Sequence, residues 1–396
     1  MGRRAAVTIR MWAWLALMLA PFLTGCKGFW NAASSSGGTT PTTTASSGNF
    51  YVLNVQTNEI AGFYVDAGSL SSLSGSPYAL PATPFSMTVA PNNNFLYVGT
   101  YNGIYVYTIG TNGSLTLGNS GNPISSDPAT SMQVDKTNSW LLDVASGLPY
   151  VNAIPISSST GLATSATERQ SVLPVTTVQQ LVISPDDTYV FVAMGTGGTA
   201  AIPFAPGNTN PLGSAGNIAV KNSGGSALSV AVDPLQSGQT TPRLFYIGET
   251  AATSGSNTGG LRAFNFSTLK EISGSPYASG GLAPYSILPI STGDYVYVAN
   301  RQVSGSSTGV IGGFAVTNSN SAYSLTALGS TFTAGTNPES LAEDNSGTFV
   351  FVVNFGGNPD LRGFTFDSTN PGYLDSVLTS ATGTDPVQAT VVSALH

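Results

Sequence analysis

Seven short runs of aromatic and β-branched residues recur along the chain, each preceded by a turn. They are Phe50-Tyr51-Val52-Leu53, Phe95-Leu96-Tyr97-Val98, Trp140-Leu141-Leu142-Asp143, Tyr189-Val190-Phe191-Val192, Leu244-Phe245-Tyr246-Ile247, Tyr295-Val296-Tyr297-Val298 and Phe349-Val350-Phe351-Val352. Successive runs begin 45, 45, 49, 55, 51 and 54 residues apart. A period near 50, built of short strands without a helical segment, predicts a β-propeller rather than a sandwich.

Each unit carries a further strand with period-two patterning, such as Ile60-Ala61-Gly62-Phe63-Tyr64-Val65, Gly103-Ile104-Tyr105-Val106-Tyr107, Leu261-Arg262-Ala263-Phe264-Asn265-Phe266 and Leu361-Arg362-Gly363-Phe364-Thr365-Phe366. That alternation predicts half-buried strands. Another strand precedes each aromatic run and closes on Pro at a hairpin, as in Ser86–Pro91, Leu181–Pro185 and Ser229–Pro234. Short outer strands near Leu70, Leu115, Leu325 and Leu374 complete four per unit. Gly75-Ser76-Pro77-Tyr78 returns as Gly274-Ser275-Pro276-Tyr277, about four periods on, so the two copies should hold the same place in their blades.

The phase of the pattern at its two ends is informative. The repeats open on an aromatic second strand at Phe50 and close on a lone first-type strand, Val387-Gln388-Ala389-Thr390-Val391-Val392. First and last strands should therefore share one blade, which leaves no sheet edge unpaired. The expected fold is all-β: a seven-bladed β-propeller of four-stranded blades, its ring closed by the C-terminal strand. Two separate β-domains are the alternative.

Composition supports a large folded body with an unusual surface. Of 396 residues 41% are hydrophobic, which is ample for a core, and only 8% are charged. Soluble domains average roughly 25% charged, so Ser, Thr and Asn must build the polar surface.

Ahead of the repeats, Arg3, Arg4 and Arg10 flank an apolar run from Met11 to Ala20. A basic segment followed by an apolar one of this length predicts a signal peptide, since a membrane span needs about 20 apolar residues. The run ends at Leu23-Thr24-Gly25-Cys26, which resembles the bacterial lipoprotein signal box, with Cys26 the chain's only cysteine. Residues 1–25 are thus expected to be removed and Cys26 lipidated; the bland alternative is an ordinary secretory peptide with an incidental cysteine. Residues 26–48, almost wholly Ser, Thr, Gly and Ala beyond Asn31, read as a flexible tether. As a random coil its ends lie on the order of 25 Å apart. Lys27, where an acidic residue would signal inner-membrane retention, favours the outer membrane.

Loss of residues 1–25 leaves nine basic against nineteen acidic residues, a net charge of about −10. An acidic body without a basic cluster argues against nucleic-acid binding and against electrostatic docking on a membrane. Membrane attachment is expected through acyl chains on Cys26. With that cysteine used, none remains for a disulfide, a thiolate metal site or a nucleophile. The sole histidine is His396, so no Ser-His-Asp triad, His-containing zinc site or haem ligand can be assembled. Asp186-Asp187 and Glu343-Asp344 lack the spacing of a calcium loop and read as surface turns. Gly195-Thr196-Gly197-Gly198 lacks the Lys and helix of a phosphate loop. No metal or cofactor is expected, and the protein is expected to be a monomer.

Ser184-Pro185-Asp186-Asp187 leading into Tyr189-Val190-Phe191-Val192, and Tyr295-Val296-Tyr297-Val298-Ala299-Asn300-Arg301, resemble the repeat of the lactonase or YVTN family of seven-bladed propellers. That family includes bacterial 6-phosphogluconolactonases, and the resemblance spans Asn49 to Val392, within a propeller placed at residues 49–396. It implies a channel-mouth cluster of His, Glu and Arg in members that open lactones. Glu249 and Arg301 fall on the family's Glu and Arg. Antiparallel first and second strands put the start of one and the end of the other on one rim, so Glu249, Arg301, Gln179 and Glu339 should share a mouth. The positions where active relatives carry histidine are Thr177 and Gln179 here, and Pro338-Glu339 stands where the family shows Pro-Arg.

Lactone opening needs a base to activate water and a donor or cation for the oxyanion. Glu249 and Arg301 are the expected catalytic pair, with Gln179 and Glu339 as substrate-binding residues. The structural alternative has Arg301 paired with Glu249 or Glu339 to close the channel mouth, and Arg262 and Arg362 in inter-blade pairs. Two functions follow: an envelope module that binds a small sugar, a lactone or a protein partner at a degenerate site, or a lactone hydrolase. An export signal argues against a cytoplasmic pentose-phosphate substrate.

Overall fold

The aromatic runs are the second strands of seven antiparallel sheets. The computed structural model describes residues 48–66, 69–165, 167–253, 259–302, 306, 308–319, 322–380 and 388–396. The expected signal peptide, Cys26 and the tether up to residue 47 lie outside the described residues.

Blades 1 to 7 take their second strands from Asn49–Asn54, Phe95–Thr100, Trp140–Val144, Tyr189–Ala193, Leu244–Thr250, Tyr295–Asn300 and Phe349–Asn354. In the same order the inner strands are Ala389–Ala394, Pro84–Val89, Ser131–Val134, Gln180–Ile183, Ser226–Val232, Pro284–Pro289 and Pro338–Glu343. Each inner strand packs on the next around a closed ring. The C-terminal strand Ala389–Ala394 pairs antiparallel with Asn49–Asn54, so the two ends of the propeller share blade 1 as expected.

Second strands are buried on both faces, which is why their apolar residues run consecutively instead of alternating. In blade 1, Phe50 and Val52 join a cluster with Phe351 and Val353 of blade 7, while Tyr51 and Leu53 join Met87 and Val98 of blade 2. All seven junctions repeat this arrangement, each holding one apolar cluster. Some are tightened by ring stacking: Phe50 on Phe351 at 4.1 Å and Phe191 on Phe245 at 4.5 Å. Fully burying one such side chain stabilises by about 1.5–3 kcal/mol, so apolar junctions rather than the sparse charges hold the ring.

The repeated Gly-Ser-Pro-Tyr segments do occupy matching places. Gly75 and Gly274 take φ values of +83° and +88°, a region glycine enters without strain. Beyond each turn a two-residue strand, Tyr78–Ala79 or Tyr277–Ala278, adds a fifth strand to blade 1 or blade 5.

Inner strands expose one ladder edge to the channel, and side chains of the preceding blade satisfy it. Across the seven junctions, from blade 1 onward, the links are Val89 N–H to Ser393, Ser86 hydroxyl to Ala129 C=O, and Leu181 N–H to Ser131. Then come Val230 N–H to Gln180, Ser229 hydroxyl to Pro284 C=O, Leu341 N–H to Ser286 and Val392 N–H to Ser340. The distances run from 2.7 to 3.3 Å. An unpaired edge is a liability in a sheet, and here the ring closes it on itself.

Candidate functional site

Most inner strands open with one residue that escapes the ladder. Pairing with the second strand skips a residue between Pro84 and Ser86, Ala227 and Ser229, Pro284 and Ser286, and Pro338 and Ser340. In blade 1 it skips Thr390. A bulge residue is re-aimed away from the sheet. Phe85, Leu228, Tyr285, Glu339 and Thr390 accordingly line one cavity of about 410 Å³, joined by Thr130 and Gln179 from the matching places in blades 3 and 4. Every blade contributes a wall residue, so the cavity lies on the ring axis, at the mouth of the channel.

Its walls differ around the ring. Phe85, Leu228 and Tyr285 offer half-buried apolar surface, while Gln133, Gln179 and Gln180 bring amides from blades 3 and 4. Gln133 and Gln180 spend their carbonyl oxygens on the Ile183 and Val230 amides, which leaves their NH₂ groups as donors. Three blades away in either direction, Glu339 supplies the cavity's only carboxylate among the described residues.

Glu339 forms an ion pair with Arg301, whose guanidinium also lies over the Tyr285 ring, 3.3 Å from its centroid. The Glu339 side chain is 8% exposed and that of Arg301 32%. Burial pushes the Glu339 carboxyl above its ordinary value, with the Arg301 hydrogen bond and charge opposing it. Burial likewise raises the Tyr285 phenol, again against the pull of Arg301.

Gln179, Arg301 and Glu339 thus come together as the sequence suggested, and the Arg301–Glu339 pair is one of its two structural alternatives. Glu249 stands apart, which corrects the expectation of a shared mouth. It pairs in the ladder with Ala227, the place held by Pro284 opposite Asn300 in blade 6. Arg301 is one residue beyond that place. Successive strand residues point to opposite faces, so one step separates a residue at the mouth from one turned into the blade. Glu249 is fully buried and takes Arg262 Nη1 at 2.9 Å and the Lys221 backbone N–H. Arg262 continues to Glu271 at 3.1 Å. Its ion pairs therefore lie within blade 5, with a single link at 2.8 Å to the Ala219 carbonyl ahead of that blade. Among the described residues Arg362 has no ion pair, so the expected inter-blade ion pair forms at neither arginine. Polar residues at the places equivalent to Glu249 are buried too: Asn54, Thr100, Asn300 and Asn354.

Phe85, Leu228 and Tyr285 were not foreseen. Their signal is the residue between Pro or Ala and Ser in Pro84-Phe85-Ser86, Ala227-Leu228-Ser229 and Pro284-Tyr285-Ser286, the register in which Glu339 also stands.

A second polar cluster lies beside blade 3. Asp143 is fully buried, with the Asn152 side chain the polar group that opposes the shift of its carboxyl. Burial, then the nearby Asp127 and Glu168, holds its carboxyl well above the usual range. Asn152 donates to Asp127 at 2.5 Å and Ser125 to Glu168 at 3.1 Å. Among the described residues no group of three or more His, Cys, Asp or Glu is arranged to hold a metal ion.

A ring of seven blades with a walled cavity at its axis defines a seven-bladed β-propeller with an open channel mouth. The chain belongs to the family described as Lactonase, 7-bladed beta-propeller, which it matches over residues 39–387. No curated protein sequence matches it. Among solved structures it is similar to a candidate 6-phosphogluconolactonase of Bacteroides uniformis, with 16% identity and a TM-score of 0.65 over 88% of this chain and 99% of that one. It is also similar to the periplasmic gluconolactonase PpgL of Pseudomonas aeruginosa, with 19% identity and a TM-score of 0.64 over 87% and 98% of the two chains. A candidate 6-phosphogluconolactonase of Bacteroides fragilis aligns with 14% identity and a TM-score of 0.64 over 88% and 98%.

Proposed function

We propose that this protein is a lipid-anchored envelope propeller whose channel mouth binds a small sugar or lactone without turning it over. The observation that carries the reading is how its carboxylates are committed. Glu339, the one acid on the cavity wall among the described residues, is tied to Arg301, and Glu249 is tied to Arg262 inside blade 5. A general base must reach the proton it takes, and a donor must face the developing oxyanion. With each carboxylate closed on its own arginine, the cavity offers aromatic faces, amides and hydroxyls, which suit binding. Calorimetry of the purified protein with glucono-δ-lactone, beside a hydrolysis assay on sugar lactones, tests this. Saturable binding without enzymatic turnover is expected; turnover abolished by Glu339→Gln would overturn it.

The second reading is a lactone hydrolase. Family membership favours it, as does the raised Glu339 carboxyl beside Arg301, a base and cation within one small cavity. In that case Glu339 activates water and Arg301 steadies the oxyanion.

The anchor rests on the Leu23-Thr24-Gly25-Cys26 box together with the basic and apolar segments ahead of it. Incorporation of labelled palmitate by cells making the chain, and its loss in Cys26→Ser, is the expected result, with the label recovered in the outer-membrane fraction.

A further inference from the structure

From the charges on the wall we infer that the channel mouth selects an uncharged polyhydroxylated ring and excludes phosphorylated sugar acids, with Glu339 as the selecting residue. The inference rests on the reading of the mouth as the ligand site and gives that ligand a charge.

Among the described residues no Lys, Arg or His lines the cavity, whereas one carboxylate does. Arg301, about a third exposed, is engaged from within: Tyr285 lies against one face of its guanidinium, Glu339 holds an edge, and both of these residues rather than Arg301 form the wall. A phosphate entering this space would meet a buried carboxylate and no cation to pair with, and an unpaired charge taken out of water is expensive. Neutral hydroxyls meet complementary chemistry. The Glu339 carboxylate accepts from them, while the Gln133 and Gln180 NH₂ groups, three blades away, donate to ring or hydroxyl oxygens. Phe85 and Tyr285 give the apolar face of a ring something to lie on. Glu339 therefore acts twice, as acceptor toward the ligand and as internal counter-ion that keeps Arg301 from any external anion.

The test is calorimetric titration of the whole purified protein with glucono-δ-lactone and with 6-phosphogluconate. The expected result is saturable binding of the lactone and at least about tenfold weaker binding of the phosphate. In Glu339→Gln, Arg301 is released to pair with the phosphate bidentately, so 6-phosphogluconate affinity should rise about tenfold or more. Adding Arg301→Met should abolish that gain. Equal or tighter binding of 6-phosphogluconate by the unaltered protein overturns the inference yet leaves the mouth as a ligand site. Lactone selectivity that persists unchanged in Glu339→Gln removes Glu339 from the selecting role. Binding of neither probe removes the ligand-site reading itself. The titrations of the unaltered protein stand regardless of how the variants fold.

Discussion

Gly248 faces Ser229 across blade 5 so closely that a methyl group on Gly248 would come within 2.2 Å of the Ser229 hydroxyl oxygen. The missing side chain is what lets Ser229 turn toward blade 6 and donate to the Pro284 carbonyl at 2.7 Å. Gly99 stands in the same relation to Ser86 in blade 2, and Ser86 likewise donates across its junction, to the Ala129 carbonyl. Where the facing residue carries a side chain, the link reverses. Val144, Ala299 and Val353 face Ser131, Ser286 and Ser340, and these serines accept from the Leu181, Leu341 and Val392 amides of the next blade. One methyl group thus decides whether an inner-strand serine donates or accepts.

Gly248→Ala should therefore move the Ser229 hydroxyl from the Pro284 carbonyl to the Ile287 amide, the counterpart of Leu341. Overpacking commonly costs about 1–3 kcal/mol, and because the added methyl would also stand 2.7 Å from the Pro284 carbonyl oxygen the cost should lie toward the upper end of that range. Denaturant unfolding measures the cost and a crystal structure of the variant the switch. Unchanged Ser229 geometry with a larger loss would show that the link cannot reverse.

Glu249 and Arg262 are expected to matter for folding rather than for chemistry. Removing one partner of a buried ion pair strands the other, at about 3–5 kcal/mol. Because Arg262 keeps its Glu271 partner, Glu249→Ala should lower stability by less than that amount, and Glu249→Gln, which still accepts from the Lys221 amide, should cost less again. Well below the melting temperature, Glu249→Gln should bind lactone as the unaltered protein does. A selective loss of binding in a folded Glu249→Gln protein would return Glu249 to the site.

The architecture was legible because it is written seven times: aromatic runs near every fiftieth residue, and an end phase that forces Ala389–Ala394 into blade 1. The mouth was legible where one register could be carried between blades, which is how Gln179, Glu339 and Arg301 were found together. Glu249 failed for a physical reason. It stands one residue short of the Arg301 register, and a single step along a strand reverses the side chain, while the skipped residues that shift the ladder leave little trace in composition. Tyr285 and Phe85 were passed over for a related reason. An aromatic at a strand start reads as core until the bulge that turns it toward the axis is visible.

Stability should fall as the pH rises, with Asp143 as a cause. Its folded-state carboxyl is raised well above the unfolded value, so the folded protein holds the proton more tightly than the unfolded chain. That contribution is fully present below the unfolded value and is lost as pH climbs through the folded one. Glu168, one of the acids facing it, acts in the same direction, since burial and the Asp127 charge raise its carboxyl too. Melting temperatures should decline from pH 5 to pH 8. Asp143→Asn should flatten the slope and raise stability at pH 8, and an unchanged slope would clear Asp143 of the role.

Tyr285 should separate support for the ion pair from contact with the ligand. Its ring lies against the Arg301 guanidinium and also forms cavity wall, whereas no hydrogen bond from its hydroxyl is found among the described residues. Tyr285→Phe keeps the ring and should leave lactone affinity and stability close to those of the unaltered protein. Tyr285→Ala removes both the stacking surface and the cation–π contact, a contact worth about 0.5–2 kcal/mol. Lactone affinity should fall about tenfold, and because the guanidinium loses its platform the Arg301–Glu339 pair should loosen enough for weak 6-phosphogluconate binding to appear. A Phe variant as impaired as the Ala variant would place the hydroxyl, not the ring, in contact with the ligand. That outcome would replace ring stacking with a hydrogen bond as the means by which the mouth holds its ligand.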